Sequence, residues 1–473
     1  MSIRQTFMKY KQMRWYSTKQ NMKVIDTVND LLSNNELKHK CHPGRMKPKQ
    51  VEHPAWLKKT VLKILKDETI SPTVIQGYSK KLNLHLHNRH PPLEPQDIKL
   101  KFQEIRSRLQ IDDAENLSDE ELLQYPNVKQ LFNSTVYHWT PIMYDKYTSM
   151  AYLVGRSVPE YSVLYKIFKE IHDNDKSFAP KTLFDFGSGV GTVMWSASQF
   201  WHKSIKEYYC VDVSGAANEL CENLIKHATP QINMNYVYHR QFMPASVFPT
   251  YDIVVSAYSL LELSNQKDRI KTLSKLWQKT EKYLIIVEQG TRVGYKIVIE
   301  ARDFILNYGN KVKDAYVFAP CPHDLICPRS IADDTPCNFE ISYLTLPIGE
   351  TSSHKYERYS YVVLKKGDRS ENDIKWPRIV RPVLRRSRHV ICRICTNSGN
   401  LEEQIFTTWK NGKLVSFLFF FLDEILISQH LTCLCTIFCI FRNTYRCARE
   451  SEWGDRLPFE YCETTKIEEP EEK

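Results

Sequence analysis

No acidic residue precedes Asp26 in this 473-residue chain. Nor does any apolar stretch run unbroken for the roughly 20 residues that a membrane-spanning helix needs. With Arg4, Lys9, Lys11, Arg14 and Lys19 set among Phe7, Met8, Tyr10, Trp15 and Tyr16, the first absence gives residues 1–20 the composition of a mitochondrial import presequence. Arg14-Trp15-Tyr16-Ser17 reads as its processing site, and a basic disordered arm is the alternative. No continuous apolar core follows those charges, which argues against a secretory signal. Delivery to the mitochondrial matrix leaves thiols largely reduced, so the cysteines need an explanation other than disulfides. The second absence predicts no membrane partner.

A third absence concerns glycine spacing. Leu183-Phe184-Asp185-Phe186-Gly187-Ser188-Gly189-Val190-Gly191 is an apolar run ending in alternating glycines, but it is not the dinucleotide fingerprint Gly-x-Gly-x-x-Gly. A strand that stops at glycines lets the backbone approach a ligand, and a helix opening at Gly191-Thr192 presents free N–H groups there. The shorter spacing points to S-adenosylmethionine rather than NAD. About one helix later, Tyr208 to Val213 is an apolar strand carrying Asp212 at its end, placed to hydrogen-bond a ribose diol. Tyr251 to Ser256 and Tyr283 to Glu288 are further β-branched runs, separated by a helical stretch from Lys267 to Lys282. Strands alternating with helices predict an α/β fold with a parallel sheet covered on both faces. The candidate cofactor-binding residues are Asp185, Gly187, Gly189, Gly191 and Asp212.

At this length two or three domains are expected. Periodic apolar residues such as Val24, Val28, Leu31 and Leu32, then Trp56, Val61, Leu62 and Leu65, predict a helical N-terminal domain over 21–150. It offers no catalytic constellation. The sheet domain is expected over 151–366, a basic extension over 367–465 and an acidic tail over 466–473.

The net charge of +10 and a pI near 8.8 favour an anionic partner without naming it. The distribution says more: Arg378, Arg381, Arg385, Arg386, Arg388 and Arg393 form a basic strip that reads as a phosphate-facing surface. Cysteines concentrate nearby. Cys321, Cys327 and Cys337 stand among prolines that fix loop geometry, and Cys392 and Cys395 follow. Thiolates on rigid loops suit a soft metal centre. The spacing is not that of a zinc ribbon with its two Cys-x-x-Cys pairs. Spacing alone leaves zinc, with His323 or His389 as a donor, and an iron–sulfur cluster both open.

Three further stretches complete a pattern: Ala257 to Leu263, Val287 to Gly294, and a terminal Trp453-Gly454-Asp455. Together with the glycine turn, the Cys321-Pro322-His323 to Cys327-Pro328 loop and the arginine-rich His389-Val390 segment, they resemble the mitochondrial methyltransferase-like protein 17 family. This is a family of small-ribosomal-subunit assembly factors with bacterial relatives, and the resemblance covers roughly Tyr137 to Pro458. It implies a seven-strand, Rossmann-like S-adenosylmethionine methyltransferase fold, a [4Fe-4S] cluster on four cysteines and docking on small-subunit rRNA. Its fourth ligand falls in the His-Val-x-x-x-x-Cys stretch, which picks Cys395, with Cys392 second, beside Cys321, Cys327 and Cys337. The cluster would tie the sheet domain to the C-terminal extension.

One segment departs from that family. Leu414 to Arg442 is apolar but broken by Asp423, Glu424, Gln429 and His430. Val415-Ser416 can be encoded by a splice-donor pattern and Phe441-Arg442 by an acceptor, so a retained intron fits, and removing it would join the flanks into one hairpin. Cys433, Cys435 and Cys439 are then not ligands. No Asn-Pro-Pro-Tyr element follows the Asp252 strand, where Ser256-Ala257-Tyr258-Ser259 stands instead, and no nucleophilic cysteine is evident. Methyl transfer can run mainly by positioning. The expectation is a matrix assembly factor, monomeric when free, that binds the small-subunit precursor and its rRNA with weak or no catalysis. The alternatives are an active rRNA methyltransferase and an RNA-binding protein with an empty nucleoside pocket.

Overall fold

The structure, a computed structural model, describes residues 22–67, 70–91, 93–108, 118–135, 139–226, 236–308, 314–332, 335–348, 351–371, 373–407 and 440–462. The predicted presequence, the bulk of the inserted segment with Cys433, Cys435 and Cys439, and the acidic tail lie outside the described residues. The chain divides into two units, one of residues 50–315 and 341–367, the other of residues up to 49, 316–340 and from 368 onward.

The larger unit is built on a sheet whose strands β1 (Thr182–Phe186), β2 (Glu207–Val211), β3 (Val237–Arg240), β4 (Tyr251–Ala257) and β5 (Thr280–Gln289) run parallel in the order β3-β2-β1-β4-β5. β6 (His354–Lys366) pairs antiparallel with β5, and Phe339–Leu344 lies beyond it as the last hairpin partner. This is the predicted α/β class, with the strand order of doubly wound sheets. β4 and β5 are almost entirely buried, as strands covered on both faces must be, which explains their unbroken Ile-Val runs. The cover comes from α1 (Lys146–Asn174), α2 (Thr192–Trp201), α3 (Gly215–Ile225), α4 (Gln266–Lys279) and α5 (Arg292–Leu306). Asp145 caps α1 by accepting from Thr148 N at 2.7 Å. Pro159 sits inside α1, where it removes a backbone donor and crowds the Gly155 carbonyl four residues earlier. Helix Pro72–His87 passes there so closely that a Cβ on Gly155 would lie 2.1 Å from Ser79 Oγ.

The helical residues after 50 therefore join the sheet unit instead of forming the predicted separate domain. Residues 22–49 go elsewhere: Met22–Val24 pairs antiparallel with Phe459–Tyr461, bringing near-terminal segments together in the smaller unit. That unit holds β7 (Arg378–Ile379), β8 (Leu384–Arg385), β9 (His389–Cys395) and β10 (Leu401–Thr407), with β9 paired to the other three. Val24, Val28, Ile379, Ile394, Phe406 and Leu457 share one core, each such side chain contributing about 1.5–3 kcal/mol on burial. Residues 440–450 are helical, and the join expected across the insert lies outside the described residues. From that helix Thr444 Oγ1 accepts from Val24 N and Asn443 Nδ2 donates to Asn29 Oδ1, which ties it to the N-terminal segment.

Candidate functional site

Where β1 ends, the backbone must turn sharply to start α2. Gly187 takes φ +77°, and a Cβ there would lie 2.3 Å from Ser259 Cβ, so only glycine fits. Gly189 differs: its missing Cβ would meet nothing within 4 Å, because the turn faces a cavity of about 370 Å3. Gly187, Gly189 and Asp212 all line that cavity. Gly191 does not. It is the N-cap of α2 at φ +90°, where a Cβ would sit 2.6 Å from Cys221 Sγ.

Asp185 also departs from its predicted place. Its carboxyl is fully buried beneath the turn, outside the cavity lining, with neither oxygen hydrogen-bonded. Burial, reinforced by Asp212 and Glu160, holds its pKa well above the carboxylate range. A mid-strand position pointing into the layer under the glycines explains this, since strand side chains alternate faces. Asp212 accepts from Gly189 N at 2.8 Å and from Ser214 N at 2.9 Å, which fixes the turn against β2. Burial raises its pKa against those two amides.

The rest of the wall comes partly from residues the sequence reading passed over. Pro141, Ile142 and Tyr144 precede α1 and line the cavity with Tyr152 and Phe242. Arg89 ion-pairs with Glu262, another lining residue, and its guanidinium stacks over Trp139 at 5.5 Å. The Trp139-Thr140-Pro141 cluster just before a long helix was the available signal. Tyr258, at φ +58°, lines the cavity beneath the Arg156 guanidinium, 5.4 Å from its ring centre. Ser259 Oγ donates to Phe186 O at 2.9 Å, and Glu288 accepts from Leu260 N at 3.1 Å. These groups hold the loop in shape, and none is presented as a general base.

In the smaller unit, Cys321, Cys327, Cys337 and Cys395 line a single cavity of about 10 Å3, whose wall is otherwise apolar apart from Arg329 and Arg378. Sequence spacing of three places Cys392 and Cys395 on opposite faces of β9, and Cys392 packs into the core instead. His323 Nε2 lies 3.2 Å from Cys395 Sγ. Burial and the neighbouring Cys327 and Cys321 push the Cys337 thiol up, with Arg329 and Arg381 opposing. The soft donor set fits a thiolate-held metal. Yet among the described residues no three His, Cys, Asp or Glu side chains are arranged around one point as a bound ion requires.

The arginine strip splits. Arg378 is 2% exposed and donates to Pro320 O at 3.1 Å and Gly454 O at 2.7 Å, so it cannot face RNA. Arg381 is half-buried and turned to Thr335 and Pro336. Arg385 is exposed but donates to the carbonyls of Arg449 and Ser451, both at 2.7 Å. Arg386 and Arg388 are exposed. The Trp453-Gly454-Asp455 motif is structural: Asp455 pairs with Arg45 at 2.8 Å and accepts from Met46 N at 2.7 Å. No helix among the described residues is long and apolar enough to cross a membrane.

Among solved structures, a SAM-dependent methyltransferase from Aquifex aeolicus is 14% identical, with 47% of this chain and 99% of that chain covered at a TM-score of 0.30. Magnesium protoporphyrin IX methyltransferase from Synechocystis is 11% identical, with 48% and 87% covered at 0.29. In sequence, the human protein named mitochondrial ribosome assembly protein METTL17 is 33% identical over 426 residues, 89% of this chain and 86% of that protein. A mitochondrial Rsm22-cox11 tandem protein of Schizosaccharomyces pombe is 26% identical over 354 residues, 65% of this chain and 43% of that protein. Residues 146–458 match the model of the family described as mitochondrial small ribosomal subunit Rsm22, and the chain belongs to that family.

Proposed function

We propose that the protein is a mitochondrial small-ribosomal-subunit assembly factor acting in the matrix, with a methyl-donor pocket in its larger unit and a thiolate metal centre in its smaller one. The observation that carries this reading is the extended likeness to the human ribosome assembly protein, which spans both units. The cavity at the glycine turn supports the first site: its volume suits a small-molecule ligand, and Gly189 leaves room beside the backbone. Gly187, Gly189 and Asp212 would hold S-adenosylmethionine, while Asp185 and Gly191 shape the turn from behind. When bound, that cofactor supplies an electrophilic methyl group. The chain's own part is to orient it between Tyr144, Tyr258 and Phe242 and to shield it from water.

Cys321, Cys327, Cys337 and Cys395 would hold a [4Fe-4S] cluster, or zinc as the alternative, and their position within one unit supports an architectural role there. Arg386 and Arg388, with Arg385, remain the candidates for rRNA phosphates. The polar groups around Tyr258 already hold the loop, which favours weak or absent methyl transfer over an active rRNA methyltransferase. Calorimetry with S-adenosylmethionine and recovery of small-subunit rRNA on the purified protein test the two halves. Cofactor heat with rRNA recovery is expected. No heat at high ligand concentration removes the pocket, and methyl incorporation into rRNA would establish the enzyme instead.

A further inference from the structure

We propose that the β3 edge of the larger unit's sheet, with Tyr236, Tyr238, Arg240 and Phe248, is a stacking platform for single-stranded RNA. The choice of RNA over DNA rests on the assembly-factor reading above. β3 is the last strand of its sheet among the described residues. Parallel register sets Phe184, Tyr209 and Tyr238 in one row across β1, β2 and β3, on one face. Phe184 and Tyr209 stack with ring centres 5.5 Å apart and planes 10° from parallel. Cover on that face thins toward the edge: Phe184 is buried, Tyr209 half-buried and Tyr238 42% exposed. Arg240, two residues further, shares the face, and its guanidinium lies 6.0 Å from the Tyr209 ring centre. The loop after β3 is tied to the same face, since Lys279 Nζ, 5.7 Å from the Phe184 ring centre, donates to Ser246 O at 2.8 Å and Val247 O at 3.2 Å. That loop carries Phe248, 75% exposed, and its Phe242 lines the larger cavity.

Single exposed aromatics need no explanation, but several on one surface mark a binding site. Base faces fit rings presented on a sheet, and such stacking tolerates any sequence. Charge favours nucleic acid over an apolar peptide. No acid stands between Glu222 and Asp252, and the exposed Arg240 makes no ion pair among the described residues. Unpaired bases stack on Tyr236, Tyr238 and Phe248 while the phosphates run past Arg240. A duplex, whose bases already stack on one another, has no face to offer.

Anisotropy of a labelled uridine oligonucleotide of about ten nucleotides, and of its duplex with adenosine, is measured on the full chain. The proteins are wild type, Tyr238→Ala, Tyr238→Phe, Phe248→Ala and Arg240→Gln, with circular dichroism to establish folding. Each alanine variant should bind the single strand about 5–150-fold more weakly at an unchanged salt dependence. Tyr238→Phe, which keeps the ring, should bind as wild type. Arg240→Gln should instead lower the slope of log affinity against log salt by about 0.7. Neither alanine variant should change duplex binding, and equal weakening of duplex and single strand overturns stacking. Wild-type affinity in both alanine variants overturns the platform, in favour of a peptide added to the strand edge. Recovery of small-subunit rRNA by the wild type alongside that result leaves the assembly reading standing. Tyr238-dependent binding of the oligonucleotide without rRNA recovery supports the platform and overturns the assembly reading instead.

Discussion

The glycine-turn cavity and the cysteine cavity are specified in opposite ways. The first is a space: its shape depends on backbone at φ values only glycine holds easily, and Asp212 in its wall is already committed to two amides. The second is a donor set: about 10 Å3 of room walled by four sulfurs and two buried guanidiniums, drawn from separated stretches of chain. A site made of backbone shape loses its ligand when a methyl group is added. A site made of donors loses its ligand, and the structure that ligand supports, when one atom is exchanged.

The largest expected effect follows from that difference. Cys327→Ser should abolish metal uptake and with it the cooperative melting of the smaller unit, since structural metal binding is folding free energy. Calorimetry on the same variant should still register S-adenosylmethionine, because none of the residues lining the larger cavity belongs to the cysteine unit. Loss of both together would mean that the two sites are not independent.

The reciprocal test lies in the turn. Gly187→Ala combines a left-handed φ with a 2.3 Å approach to Ser259 Cβ, a cost of about 2–4 kcal/mol. It should eliminate cofactor heat and lower the melting temperature of the larger unit while metal content stays at the wild-type level. Gly189→Ala sharpens this. A Cβ there meets nothing within 4 Å, so only the left-handed φ of +49° is strained, by about 1–2 kcal/mol, and the fold should persist while affinity falls, as the methyl enters the ligand's space. Equal thermal damage from both substitutions would show that the turn itself, and not the cavity, sets the requirement.

Much of this was legible in the sequence, for physical reasons that also mark the limits. Ile253 to Val255 and Leu284 to Val287 read as parallel-sheet strands because burial on both faces demands unbroken apolar runs. The glycine spacing located the turn because backbone conformation is local. Asp185 lies under the turn and not in the cavity wall because alternation along a strand decides which face a side chain takes, and a one-residue difference separates cavity from core. Arg378 and Arg381 resemble RNA contacts in sequence because charge patterning cannot tell a solvated cation from one folded onto a loop carbonyl. Tyr144 and Arg89 were missed because their roles depend on which helix lies over the cavity, a tertiary fact. Likewise the pairing of Met22–Val24 with Phe459–Tyr461 joins segments too distant for any local pattern to reveal.

A smaller effect should appear with pH, again in the larger unit. Burial pushes Glu288 up to about 8 and Glu160 up to about 7. Both raised values mean that the native state keeps protons the unfolded chain has released. Stability present below the ordinary glutamate range is therefore lost as pH rises through about 7–8. Each kcal/mol lost lowers the melting temperature by roughly 2–4 °C for a unit of this size. Glu288→Gln, which keeps an oxygen to accept from Leu260 N, should flatten that decline, and an unchanged pH profile would remove Glu288 as its source.

The smallest expected effect separates the two halves of the arginine strip. Arg386 and Arg388 are exposed, so replacing both with alanine should leave metal content and melting untouched. If each neutralises one phosphate, the slope of log affinity for small-subunit rRNA against log salt should fall by about 1–2, since each phosphate contact contributes close to one counterion. Arg378→Gln should do the reverse, altering metal retention with no direct change in the salt slope, because its guanidinium is spent on Pro320 and Gly454. An undiminished slope in the Arg386 and Arg388 double variant would move the RNA contact off this strip altogether. The strip would then serve as scaffolding for the cysteine loops, through contacts such as Arg378 to the Pro320 carbonyl.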